Sequence, residues 1–168
     1  MTPAPEAVAL AREVHELLLA RGETLAVAES LTGGALGATV TAVPGVSATF
    51  RGAVVAYATE LKTEMLGVPA DLLARTGPVH PLVAAAMAAG VRGLLGSTYG
   101  LATTGVAGPD PQAGHAPGEV YLGLAGGERL RLLHRRVDLK GDRAAVRSGA
   151  VVAGLGFLRE ILTDGNAG

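Results

Sequence analysis

The sequence predicts a three-layer α/β/α domain with a mixed, mostly parallel central sheet. Short apolar runs typical of strands alternate with longer segments of helical periodicity, as expected when helices connect parallel strands and cover both faces of a sheet. Two further strand-like runs then follow each other across Gly126-Gly127, a turn dipeptide that indicates an antiparallel hairpin. The first pattern predicts the parallel strands, and the second makes the sheet mixed.

The N-terminal half predicts two strands and four helices. Residues 5–22 predict an amphipathic helix, because Val14 and Leu18 fall on one apolar side and Gly22 follows as a stop. Residues 24–30 form a short apolar run, expected of a strand covered on both faces. The other predicted elements here are helices at 35–43, 60–68 and 70–76 and a strand at 51–59. The first of these helices stops at Pro44-Gly45.

The C-terminal half predicts two longer helices around three strands. Pro81 is tolerated in the first turn of a helix, so residues 80–97 are helical. Prolines and glycines dominate residues 106–118, which predicts an irregular loop. The remaining predicted elements are strands at 99–105, 119–126 and 128–139, a helix at 141–162 and a frayed tail at 163–168.

Composition restricts the classes of function. The 168 residues are 49% hydrophobic and 17% charged, which is typical of one folded domain rather than a disordered chain. A formal net charge of -1 argues against nucleic acid or an anionic membrane as the main partner. The absence of cysteine excludes disulfides, thiolate metal sites and a cysteine nucleophile. The N-terminus resembles neither a signal peptide nor a membrane span, so we expect a cytoplasmic domain.

Three polar loops follow the predicted parallel strands, at the edge where ligands bind in such folds. In the first, Ser30 comes before Gly33-Gly34, where free N–H groups at a helix start would favour an anion or a developing oxyanion. Two interpretations remain open. Ser30 is a nucleophile, or Ser30 or Thr32 caps the helix, which is the commoner outcome of such a pattern.

A nucleophilic serine requires a base, and lysine is the better candidate here. None of the four histidines has an obvious partner in the sequence: His15, His80, His115 and His134. Lys62 follows the second strand on the presumed ligand side, and burial would lower its pKa enough for it to accept a proton. Tyr57 could relay or orient that proton. The alternative is an exposed helix lysine and a packed strand tyrosine.

The third loop and the last helix supply further candidates. Gly105 and Gly108 would allow a ligand to approach the backbone closely, and Thr104 adds a hydroxyl. Arg143 and Arg147 lie on one face of a helix and could meet a phosphate, although solvated charges are the simpler interpretation. No cluster of His, Asp or Glu has metal-ligand spacing, so we predict neither a metal nor a cofactor.

Several ordered blocks resemble the CinA C-terminal domain family, the nicotinamide-nucleotide amidohydrolases. The blocks are LAVAESLTGG, FRGAVVAYATELKTEMLGV, TGPV, TTGVAGPD, GEVYLGLA and GDRAAVR, and they extend over roughly residues 5 to 162 of a single domain. The resemblance implies a three-layer fold with a mixed sheet. It also implies hydrolysis of the amide of nicotinamide mononucleotide (NMN) to nicotinate mononucleotide and ammonia, in pyridine nucleotide salvage.

The resemblance also implies roles for individual residues. Ser30 would be the nucleophile and Lys62 its base, with Tyr57 assisting. The residues expected to line the substrate or hold the oxyanion are Thr32, Gly33, Gly34, Thr104, Gly105, Gly108 and Arg143. The chain departs from the usual family pattern at His80, at Ala58-Thr59 and in the loop 107–118. We expect the protein to be the stand-alone form of the family.

Two other functions remain open at this point. A catalytically weak binding module linked to competence or DNA damage is one, although such a module has no need for Ser30, Tyr57 and Lys62 together. An amidase for another small amide, one without a phosphate, is the other. We also expect a homo-oligomer, most simply a dimer, because small α/β domains with apolar helix faces often pair.

Overall fold

The computed structural model describes residues 2–127 and 131–164, except for the side chain of Arg131. In chain order the elements are α1 (Pro5–Arg21), β1 (Leu25–Glu29), α2 (Ala35–Thr41), a 3₁₀ turn (Val46–Ala48), β2 (Phe50–Val55), α3 (Thr59–Leu66), α4 (Ala70–Thr76), α5 (Pro81–Leu95), β3 (Tyr99–Gly105), β4 (Glu119–Gly126), β5 (Arg131–Asp138) and α6 (Arg143–Asp164). Every predicted helix and strand is present. The predicted residues 128–130 of the hairpin and 165–168 of the tail lie outside the described residues.

The five strands form one sheet in the order β2-β1-β3-β4-β5. Strand β1 lies between β2 and β3 and is parallel to both, whereas β4 is antiparallel to β3 and to β5. Four of the five strands therefore run in one direction, which confirms the predicted mixed, mostly parallel sheet. The carboxyl ends of β1, β2 and β3 meet at one edge.

The two faces of the sheet pack against different helices. Leu25 and Val27 of β1 contact the apolar cluster formed with α1, α2 and α6, whereas Ala26 and Ala28 contact the cluster formed with α3, α4 and α5. Helix α5 lies very close to the sheet, because a Cβ at Gly123 would be 2.0 Å from the carbonyl oxygen of Ala84. The small residues on this face therefore allow close packing of helix on sheet.

Several element boundaries differ from the prediction, and α6 extends to Asp164, so residues 163–164 are helical rather than part of a frayed tail. Strand β2 ends at Val55 instead of residue 59, since α3 already begins at Thr59, and the Ala56 and Tyr57 carbonyls between them accept from Lys62. Helix α2 ends at Thr41 rather than residue 43, and the 3₁₀ turn after it was not predicted.

His80 caps α5, since its Nδ1 accepts from the Leu82 N–H at 3.3 Å. Among the described helices, none combines the length and hydropathy needed to cross a bilayer.

Candidate active site

Two polar residues at the end of β1 are directed to opposite faces of the sheet, because side chains alternate along a strand. Glu29 is fully buried and faces α2, where its carboxylate accepts from the N–H groups of three residues at 2.8–3.0 Å. These residues are Gly34, Leu36 and Gly37. A carboxylate at a helix N-terminus is favoured by the helix dipole and satisfies the otherwise unpaired amides. Glu29 therefore caps α2.

This capping overturns one interpretation of Ser30 and Thr32. Neither side chain caps α2: the Ser30 Oγ accepts from Lys62, and the Thr32 hydroxyl lies 2.8 Å from that of Thr103. The interpretation of Ser30 or Thr32 as a helix cap is therefore wrong. The sequence missed the cap because Glu29 lies six residues before Ala35, the first residue of the helix, and outside the usual cap position.

The Gly33 and Gly34 amides, near which an oxyanion is predicted to bind, are already hydrogen-bonded within the protein. The Gly33 N–H donates to the Ser30 carbonyl at 3.1 Å, and the Gly34 N–H donates to Glu29. Neither amide is available to a ligand in this arrangement. Both glycines are needed for another reason, since they adopt φ values of 58° and 94°, which disfavour residues with a side chain.

Lys62 projects from α3 into the protein and is only 1% exposed. Its Nζ donates to the Ser30 Oγ at 3.2 Å, to the Ala56 carbonyl at 2.8 Å and to the Tyr57 carbonyl at 3.3 Å. Burial disfavours the charged ammonium and lowers the pKa of Lys62 to about 8, against a smaller opposing effect of the Glu60 carboxylate. A substantial fraction of Lys62 is therefore neutral near neutral pH, as a general base must be.

Tyr57 and Arg143 pair across the opening of the site. The Tyr57 side chain is 58% exposed, and its hydroxyl accepts from the Arg143 guanidinium at 3.1 Å. Arg143 also donates to the Gly108 carbonyl at 2.9 Å. The backbone carbonyl of Tyr57 contacts Lys62 and its hydroxyl contacts Arg143, so the predicted help of Tyr57 to the base has a direct contact only through the carbonyl. The two side chains instead form part of the rim.

The loop after β3 forms the opposite wall. Thr104 is buried, and its hydroxyl donates to the Pro78 carbonyl at 2.7 Å. A Cβ at Gly105 would lie 2.5 Å from the Glu119 carbonyl oxygen, so the sheet itself requires this glycine. Gly108 has a φ of 83° and offers its carbonyl to Arg143. Intramolecular packing alone therefore requires a small residue at Gly105, and both glycines also line the cavity.

These elements enclose a cavity of about 120 Å³. Its lining residues are Ser30, Leu31, Tyr57, Thr59, Lys62, Pro78, Val79, Thr104, Gly105, Val106, Ala107, Gly108, Asp110, Gln112 and Arg143. The predicted convergence of the three loops is thus confirmed, whereas Thr32, Gly33 and Gly34 are not part of the lining. A cavity of about 150 Å³ holds one benzene molecule. The enclosed space therefore suits a group of roughly one small ring.

Sequence reasoning missed several residues of the site. Asp110 and Gln112 line the cavity from the proline- and glycine-rich loop, where no sequence pattern indicated a direction for their side chains.

Arg147 donates to the carbonyls of Leu31 and Thr32 instead of facing a ligand. Within residues 2–127 and 131–164, no group of three or more His, Asp or Glu side chains could hold a metal ion.

Fold and site together define a class: a three-layer α/β domain with a buried serine–lysine pair at the carboxyl edge of its parallel strands. The model of the CinA C-terminal domain matches residues 7–162. The chain belongs to this family.

Relatives and solved structures agree with this assignment. A CinA-like protein of Frankia casuarinae is 55% identical over 87% of the chain, and a putative competence-damage inducible protein of Desulforamulus reducens is 45% identical over 89%. The matches cover 33% and 36% of those proteins, so the chain spans about a third of their length.

A crystal structure of a CinA superfamily protein from Klebsiella pneumoniae superposes with a TM-score of 0.90 at 31% identity, covering 94% of this chain and 98% of that one. The crystal structure of the competence/damage inducible protein of Agrobacterium tumefaciens superposes with a TM-score of 0.89 at 28% identity, covering 97% of this chain and 99% of that one.

Proposed function

We propose that this protein is an amidase that hydrolyses the carboxamide of NMN to nicotinate mononucleotide and ammonia. The observation that carries the proposal is the contact of 3.2 Å between the Lys62 Nζ and the Ser30 Oγ inside a cavity. A serine hydroxyl is a weak nucleophile unless a base removes its proton, and a lysine whose pKa is lowered by burial is such a base. The NMN substrate comes from the resemblance to the family, and the geometry supports the acyl-transfer chemistry.

Acylation begins when neutral Lys62 takes the hydroxyl proton of Ser30 as the Oγ attacks the carboxamide carbon. The new C–O bond places the electron pair of the carbonyl on its oxygen, giving a tetrahedral intermediate. The Lys62 ammonium then protonates the amide nitrogen, the C–N bond breaks, and ammonia leaves. The Ala56 and Tyr57 carbonyls accept hydrogen bonds from two N–H groups of the Lys62 amine, which leaves its lone pair directed at Ser30.

Deacylation uses the same base. Lys62 is neutral again after it has protonated the leaving group, so it can remove a proton from water attacking the ester carbon. The tetrahedral intermediate collapses, Ser30 recovers its proton, and the carboxylate is released. One lysine therefore serves both half-reactions.

Arg143 supports binding of a nucleotide at the rim. The enclosed space of about 120 Å³ suits the ring that carries the amide, so a ribose and phosphate would extend past Tyr57 and Arg143. A guanidinium has five N–H donors, and two contacts to protein acceptors leave others for a phosphate. This placement supports the phosphorylated substrate.

Asp110 favours a second candidate, an amidase for a substrate without a phosphate. This carboxylate lines the same opening and would repel a phosphate placed near it. Nicotinamide riboside and nicotinamide are the natural comparison substrates, because they keep the amide and ring and lose the phosphate or the whole ribosyl phosphate. A higher kcat/KM for nicotinamide riboside than for NMN would favour this candidate.

Ammonia release from purified protein tests the proposal directly. We expect turnover of NMN by the wild-type protein and a loss of at least 10³-fold in Ser30→Ala and Lys62→Met, since nucleophile and base act together. Ser47→Ala, a change of an ordinary serine outside the cavity lining, is the matched control and should retain full activity. Full turnover in Ser30→Ala would exclude the mechanism.

A further inference from the structure

Arg147 holds the backbone immediately after the proposed nucleophile. Its Nε donates to the Leu31 carbonyl at 3.2 Å and its Nη2 to the Thr32 carbonyl at 2.8 Å. The side chain reaches these carbonyls from α6, more than 100 residues away in sequence, and it is not part of the cavity lining. Arg147 therefore contacts two successive peptide groups next to the site without facing the cavity.

The peptide groups on both sides of Leu31 are fixed as a result. The Ser30 carbonyl accepts from the Gly33 N–H at 3.1 Å, and the Leu31 carbonyl accepts from Arg147. Because a trans peptide is planar, the direction of the Leu31 N–H follows that of the Ser30 carbonyl in the same peptide group. The Gly33 N–H that holds this carbonyl belongs in turn to the peptide group whose Thr32 carbonyl accepts from Arg147. That N–H donates to no acceptor in the described part of the chain, although Leu31 is only 4% exposed.

A buried amide without an acceptor costs free energy, so a protein keeps one only where something else compensates. Leu31 lines the cavity beside Ser30. In other acyl-transfer sites the N–H of the residue after the nucleophile binds the oxyanion. The Gly33 and Gly34 amides cannot do this here, because their N–H groups already donate to the Ser30 carbonyl and to the Glu29 carboxylate.

We propose that the Leu31 N–H is an oxyanion donor and that Arg147 is the positioning residue that aims it. The proposal rests on the acyl-transfer function proposed above. Arg147 touches neither the reacting atoms nor the cavity and acts through the carbonyls that it holds. A guanidinium is suited to this role because its planar fork reaches two carbonyls at once, whereas a lysine ammonium is a single point charge.

The expected effect lies in kcat rather than in KM, because the oxyanion forms only after the substrate is bound. Complete removal of one oxyanion donor lowers kcat by about 10²–10³-fold. Arg147→Met leaves the donor present but poorly aimed, so we expect a loss of about 10- to 100-fold in kcat with little change in KM. Arg147→Lys should fall between Arg147→Met and the wild type.

The experiment compares Arg147→Met, Arg147→Lys and the wild type with two readouts. Arg159→Met is the matched control, because Arg159 lies on the same helix and its guanidinium pairs with the exposed Glu13. The first readout is steady-state ammonia release from NMN and from nicotinamide riboside. The second is the burst of p-nitrophenolate when p-nitrophenyl acetate acylates Ser30, which requires the oxyanion donor but no recognition of a nucleotide.

A loss of kcat in Arg147→Met, shared by both amides and matched by a slower burst, would support the proposal. A burst at the wild-type rate would overturn it, and so would a rise in KM seen with NMN alone, which would make Arg147 a phosphate ligand. Absence of ammonia release from the wild type, with a burst that still depends on Arg147, would refute the amidase function and keep the positioning role. If thermal unfolding shows that Arg147→Met does not fold, Arg147→Lys decides the question.

Discussion

The titration of Lys62 should control the pH dependence of turnover. Only the neutral amine can accept a proton, and burial lowers the pKa of Lys62 from 10.5 to about 8. At pH 7 roughly a tenth of the side chains are then neutral, compared with about one in 3,000 at the ordinary pKa. The shift therefore increases the population with a neutral Lys62 about 300-fold. It corresponds to a destabilisation of the charged ammonium in the folded protein on the order of 3 kcal/mol.

We expect kcat/KM to rise about fivefold between pH 7 and 8 and less than about twofold above pH 8.5, following the neutral fraction of Lys62. Ammonia release at low NMN concentration, measured from pH 7 to 10, checks this. A midpoint above pH 10, or activity independent of pH, would refute the assignment of Lys62 as the base.

Glu60 offers a sharper version of the same test. Its carboxylate raises the pKa of Lys62, against the larger effect of burial, so Glu60→Gln should move the midpoint to lower pH. Glu64→Gln removes an equal charge from the same helix but not one of those that shift the pKa of Lys62, so the midpoint should stay in place. An upward shift in Glu60→Gln would contradict the electrostatic reasoning.

Three further predictions follow from the same contacts. The unfolded chain keeps the Lys62 proton up to pH 10.5, whereas the folded protein releases it near pH 8. The free energy of unfolding should therefore rise between these pH values in the wild type and not in Lys62→Met, which urea titrations would measure. Tyr57→Phe removes the hydroxyl that accepts from Arg143, so it should raise KM for NMN and leave the pH midpoint unchanged. A lower kcat with a shifted midpoint would instead indicate that the Tyr57 hydroxyl relays a proton. Glu29→Gln replaces a carboxylate that accepts three N–H groups with an amide whose NH₂ cannot accept, and should lower the free energy of unfolding by about 1–3 kcal/mol in urea titrations, whereas an unchanged value would remove its capping role.

Much of the fold was predictable from local patterns. The apolar run at β1 and the turn dipeptide after β4 each led to a strand that the structure contains. The edge where the loops converge followed from the parallel order alone, since ligand loops lie beyond the carboxyl ends of such strands. The end of β2 was less predictable, because the Ala56 and Tyr57 carbonyls beyond it bond to a side chain from another element, Lys62 of α3.

Side-chain roles at the site were harder to predict than the elements that carry them. Ser30 and Thr32 have the composition of a helix cap, yet Glu29 takes that role because its side chain faces α2 across the turn. Gly33 and Gly34 resemble an anion-binding start of a helix, yet their amides are already bonded within the turn. Local sequence shows which polar groups are present but not which hydrogen-bond partners the tertiary structure brings to them.

The sequence by itself determined the alternation of strands and helices, the three loops at one edge and the two residues, Ser30 and Lys62, with the chemistry for acyl transfer. Those properties depend on residue types and their order along the chain. Only the tertiary structure decided that Lys62 is buried against Ser30 and that Arg147 holds the backbone after it. A pKa is set by desolvation and an amide is aimed by its neighbours, and both depend on atoms that lie far apart in sequence.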